Sequence, residues 1–168
     1  LQNYLRFTMF YRVAIFGILA SIVSLNLPVY AEKCTPVPVV GGQGSSVTKE
    51  VSAPTIPAGP LGMLGVDVTH NNWNTDWAVP NDANFRRYIV TINSNDGGPF
   101  DIRMYLKYSD QTADQFYNTE GVQFQPGKPL IIEATPRPGQ QPYQVNLFVN
   151  GLGSLGKSYT ASVVGCYR

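Results

Sequence analysis

The chain has 168 residues, with 12 Lys+Arg, 11 Asp+Glu and a formal net charge of +1, so it lacks the basic excess that a nucleic-acid interface demands. Only 14% of its residues are charged, and 16 Gly and 13 Pro punctuate it, a composition that interrupts long helices. The length supports one domain with its own core and is too short for two comfortable ones.

At the N-terminus, residues 13–27 form an apolar run preceded by Arg12 and followed by Val29-Tyr30-Ala31. That is the pattern of a secretory signal peptide cleaved after Ala31. Met9 opens the pattern, so residues 1–8 read as upstream sequence. An uncleaved anchor is the alternative, but a span needs about 20 apolar residues, and Asn26 and Pro28 cut this run short. A chain sent to an oxidising compartment with two cysteines predicts a Cys34–Cys166 disulfide joining its first and last segments. Two cysteines and the single histidine, His70, cannot supply a four-ligand zinc site.

Residues 32–64 are rich in Pro, Gly and Ser and read as an extended lead-in, with an edge strand over residues 47–51. Residues 65–70 alternate Val66 and Val68 against Asp67 and Thr69, a short half-buried strand. Residues 70–82 then place both tryptophans, Trp73 and Trp77, in a stretch dominated by Asn and Asp, which reads as a surface loop.

Residues 85–109 carry the strongest period of two. Tyr88, Val90 and Ile92 share one face of the first arm, and Ile102, Met104, Leu106 and Tyr108 share one face of the second. The intervening Asn93-Ser94-Asn95-Asp96-Gly97-Gly98-Pro99 supplies turn residues, so the whole reads as one antiparallel hairpin. Downstream, residues 115–117 and 122–125 are short strand candidates around an Asn118-Thr119-Glu120-Gly121 turn, and residues 130–134 form a further strand. Val145, Leu147 and Val149 alternate with Gln144, Asn146 and Phe148, and Tyr159, Ala161 and Val163 alternate with Ser158, Thr160 and Ser162. These last two strands read as a second hairpin.

Seven to nine short strands and no helical stripe predict an all-β antiparallel sandwich, Ig-like or jelly-roll-like, over residues 65–168. No triad is expected, because His70 stands without a Gly-x-Ser-x-Gly elbow. Asp76 with Asp82 is the nearest carboxylate pair and matches any secreted protein as well as a glycosidase. Asn93, Asn95 and Asp96, or Asn74, Asp76, Asn81 and Asp82, could offer oxygens to calcium. Tight turns ask for the same residues, so no metal, cofactor or catalytic group is assigned.

The sharpest functional expectation is an aromatic platform for a sugar ring made by Trp73, Trp77 and Tyr105, with Asn72, Asn74 and Asp76 reaching the hydroxyls. The competing reading makes the two indoles core plugs. A secreted, periplasmic or cell-surface, non-catalytic binding protein follows, with no membrane span once the signal is removed. Its partner is a polysaccharide or a cell-surface protein, not nucleic acid. The alternative is a self-associating subunit of an extracellular matrix or filament, presenting Tyr105, Gln144, Asn146 and Phe148 to a neighbour.

Overall fold

A computed structural model of the chain describes residues 32–52 and 73–167. The expected signal peptide, the strand over residues 65–70, the residue 64/65 domain boundary and His70 lie outside the described residues. Among the described residues no helix is long and apolar enough to cross a membrane.

Among the described residues nine strands follow one another: β1 (Lys33–Pro36), β2 (Ser46–Glu50), β3 (Asn74–Ala78), β4 (Arg87–Asn93), β5 (Phe100–Lys107), β6 (Ala113–Val122), β7 (Leu130–Ala134), β8 (Gln144–Asn150) and β9 (Ser158–Tyr167). They form two antiparallel sheets. Sheet A runs β1-β9-β4-β7, with β2 also on β9, and sheet B runs β3-β8-β5-β6. The protein is an all-β antiparallel sandwich.

The alternation predicted from sequence explains the core. Tyr88, Val90 and Ile92 of β4 and Tyr159, Ala161 and Val163 of β9 turn inward from sheet A. They meet Trp77 of β3, Ile102, Met104 and Leu106 of β5, and Val145, Leu147 and Val149 of β8. Each fully buried side chain of this size stabilises by about 1.5–3 kcal/mol relative to exposure. Gly165 is a close-packing point, because a Cβ there would stand 2.4 Å from the Phe85 ring.

Two hairpins expected from sequence do not exist. The arms of residues 85–109 belong to opposite sheets: β4 pairs with β7 and β9, whereas β5 pairs with β6 and β8. Likewise β8 lies in sheet B and β9 in sheet A. Period two tells which face of a strand is buried, and two strands facing each other across a core satisfy it as well as two strands side by side. The turn residues between β4 and β5 serve the crossing. Ser94 Oγ donates to Ser158 O at 2.7 Å, Asp96 Oδ2 accepts from Ser158 N at 2.6 Å, and Lys157 Nζ reaches Gly98 O.

The partner of β5 in a true hairpin is β6, joined through Tyr108–Thr112, where Tyr108 N donates to Thr112 O at 2.9 Å. The expected turn at residues 118–121 is instead part of continuous β6. Two register irregularities take up the extra length, and Gly121, at φ 68°, donates its N–H to Asp101 Oδ1 at 2.9 Å. This is bulge chemistry in place of a turn.

The lead-in also proves structural. Its residues 33–50 supply β1 and β2, both on β9, and Val37 and Val51 are buried. Cys34 and Cys166 are directly opposed partners of β1 and β9 and form the expected disulfide, across a sequence separation of 132.

Replacing both cysteines by Ala lowers the unfolding free energy by about 2–5 kcal/mol, the usual cost of losing a disulfide that closes a long loop, measured by urea titration. Burial also pushes the hydroxyls of Tyr88 and Tyr159 above the ordinary value of 10. The folded state therefore holds these protons more tightly than the unfolded chain, and the contribution is complete below pH 10 and lost as pH rises past it. Urea midpoints between pH 8 and 11 should fall above pH 10, and less steeply in Tyr88→Phe.

Candidate functional site

The outer face of sheet B gathers most of the residues singled out from sequence. Alternation turns Asn74 and Asp76 of β3, Gln144, Asn146 and Phe148 of β8, and Arg103, Tyr105 and Lys107 of β5 away from the core. Strand register then lines them up. One row runs Asn74, Phe148, Arg103, Asn118, and the next runs Asp76, Asn146, Tyr105, Gln115.

Asp76 is the centre of a polar network. Its Oδ1 accepts from Asn146 Nδ2 at 2.7 Å and from Lys107 Nζ at 3.1 Å, and Asn146 Nδ2 also reaches Asn74 Oδ1 at 3.1 Å. Asn146 is only 4% exposed although it points outward, because these neighbours close over it. From sheet A, Lys49 donates to Asn74 O at 2.7 Å. Burial lowers the Lys49 pKa, and the Asp76 carboxylate partly offsets that. Beside the network a cleft of about 310 Å³ opens between the residue 39–44 turn and β3, lined by Val40, Gly42, Val47, Lys49, Asn74 and Asp76.

The aromatic part lies in the neighbouring rows. Tyr105 is half-buried, and its hydroxyl accepts from Gln115 Nε2 at 3.0 Å. Trp73 stands edge-on to Phe148 with ring centroids 5.7 Å apart, and the Arg103 guanidinium lies 4.4 Å from the centroid of the Phe148 ring. Such T-shaped and cation–π contacts fix the planes of these groups.

Of the expected site residues, Asn74, Asp76 and Tyr105 share this face, and Trp73 borders it. Asn72 lies outside the described residues. Trp77 does not take part: it is 0% exposed, with its indole N–H donating to Ser45 O at 2.9 Å. The cause is that residues 74–78 are strand rather than loop, so parity sends Thr75 and Trp77 inward and Asn74 and Asp76 outward. Trp73 is half-buried, and its N–H donates to Ser52 O at 2.8 Å. Arg103, Lys107 and Gln115 were absent from the expected site, yet the parity of Tyr105 within β5 was signal enough for the first two.

Two other places gather polar or ligating groups. A cleft of about 420 Å³ sits at the disulfide end between residues 84–86 and 135–141. Its Arg137 is engaged with Asp110 and Asp114 and lies 4.1 Å from the Tyr108 ring centroid, so its charge is committed to holding the end loops. Glu32, Cys34 and Cys166 converge as well, but both sulfurs are spent in the disulfide and offer no thiolate.

The two indoles should separate in solution. In Trp73→Phe the remaining Trp77 is expected to emit in the blue and resist iodide quenching, whereas Trp77→Ala should cost about 3–5 kcal/mol of stability. Iodide-accessible emission from Trp77 would contradict its burial.

No protein-family model matches the chain, and no curated protein matches it. Among solved structures, the CBM22-1 xylan-binding domain of Xyn10C from Paenibacillus barcinonensis is 8% identical over 74% of this chain and 86% of its own, at a TM-score of 0.33. A structure described as CBM4 is 10% identical over 73% of this chain and 95% of its own, at a TM-score of 0.27. Likeness of this degree carries no argument about ligand, which rests on the chain's own side chains.

Proposed function

We propose that this is a secreted, non-catalytic polysaccharide-binding protein whose ligand lies across the outer face of sheet B. The observation that carries the reading is the convergence of Asn74, Asp76 and Asn146 beside Tyr105 and Phe148 on three adjacent strands. Aromatic rings offer apolar planes to sugar rings, and amide and carboxylate groups meet the hydroxyls. Asp76 serves as a fixed acceptor held by Asn146 and Lys107 rather than as an acid or base. The disulfide supports an oxidising, extracellular setting.

One observation favours a second reading, assembly with a neighbour. β6 is ten residues long and lies at the edge of sheet B, and such an edge can accept another strand. Its two register irregularities twist it and oppose that use.

Affinity electrophoresis against a panel of soluble polysaccharides tests the proposal. At least one should retard the protein, and Tyr105→Ala should weaken that retention by about three- to tenfold, the worth of one aromatic contact. Unchanged migration on every gel, with a mass that rises with concentration in size exclusion, would instead establish assembly.

A further inference from the structure

The two cations on the outer face of sheet B stand in different electrostatic positions. Lys107 is paired with Asp76 at 3.1 Å. Among the described residues Arg103 has no ion-pair partner: the ion pairs there use Arg87, Lys107 and Arg137, and its guanidinium lies over the Phe148 ring, 4.4 Å from the centroid. Asp101 and Glu120 share a cleft of about 160 Å³ with it, yet neither pairs with it, and Asp101 Oδ1 is occupied by the Gly121 N–H.

We propose that Arg103 is a carboxylate subsite, and that the polysaccharide bound by this face is acidic, built from uronate units. The inference rests on the polysaccharide-binding reading and names the ligand's class. A neutral glycan laid over Tyr105 and Phe148 would strip water from an uncompensated guanidinium, which is costly unless a counter-charge arrives with the ligand. A uronate supplies it. The cation–π contact with Phe148 keeps the guanidinium at this place on the face, and its fork of N–H donors matches the two oxygens of a carboxylate. Tyr105 is the next outward position on the same strand, about 7 Å along β5, within the reach of one sugar ring bearing its carboxylate. The Asp76 centre makes no second demand for charge, because Lys107 and Asn146 already satisfy it.

The matched probes are polygalacturonate and alginate, each as the free acid and as its methyl ester, run beside neutral xylan, mannan and glucan in affinity gels with the full chain. At least one free acid should be retained about tenfold more strongly than its ester, the worth of one charge-assisted pair. Added salt should reduce the difference. Arg103→Gln should bring acid and ester to the same retention, and Arg103→Lys should recover only part of the gap, because an ammonium lacks the fork. Equal retention of acid and ester by the wild type, or a preference that survives Arg103→Gln, would overturn the subsite while leaving neutral binding in place. No retention on any gel would overturn polysaccharide binding itself. Unchanged urea midpoints in the Arg103 variants keep a folding defect from imitating the result.

Discussion

The structure closes on β9. One edge of this strand is bonded to β4, from Arg87 opposite Cys166 to Asn93 opposite Thr160, and the other is shared by β1 and β2. Between those two short strands the chain stays attached, with Val37 N donating to Val163 O at 2.9 Å. The early and late strands of the domain are thereby brought together, a closure whose entropic cost grows only slowly with loop length. The disulfide places a covalent limit on that closure in the unfolded chain, at the end of β9 where Cys34 faces Cys166. Sheet B has no such staple. It rests on the core through Trp77, Met104 and Leu147, and across its outer side Asp76, Asn146 and Lys107 bond three of its strands together.

What the sequence could show was the direction of each side chain, and what it could not show was the neighbour of each strand. Tyr88, Val90 and Ile92 point inward as their spacing said, and so do Ile102, Met104 and Leu106. Yet the same spacing suggested that the two strands bond to each other, when they face each other across the core. Local turn residues were the basis for pairing them, and those residues are instead consumed by contacts with Ser158 and Lys157, more than fifty positions away. Such contacts leave no local trace. The disulfide was legible because two cysteines allow only one intramolecular pair.

At the site, the burial of Trp77 and the outward placement of Asp76 have one origin. Read as a loop, residues 74–78 give no parity, and every polar or aromatic side chain among them is an equal candidate. As the edge strand β3, paired with β8 from Asn74 opposite Phe148 to Ala78 opposite Gln144, they divide cleanly into two faces. The flanking Asn and Asp concealed a five-residue strand because these residues are poor strand formers. Asn74 and Asp76 are tolerated there by their pairing with Asn146, an instance of cross-strand contact overriding intrinsic preference.

The outer faces of the two sheets differ in a way that bears on function. Sheet A presents short hydroxyls along β2 and β9, with Thr48 Oγ1 and Thr160 Oγ1 2.8 Å apart and Ser46 opposite Ser162, and aliphatic side chains further along, where Ile89 lies opposite Val164 and the exposed Ile131 opposite Thr91. Neither set offers an aromatic plane to a ligand. Sheet B presents long or planar groups already braced: Asn146 and Lys107 on Asp76, Gln115 on the Tyr105 hydroxyl, Arg103 against Phe148. Ordering flexible side chains on binding costs about 0.5–1.5 kcal/mol for each one immobilised. A face whose members are held before the ligand arrives avoids much of that cost. The Asp76 centre is rigid because its bonds are internal, so it contributes shape and fixed acceptors. The groups with unspent donors and open planes lie around it, and on the proposed reading the identity of the ligand is decided there.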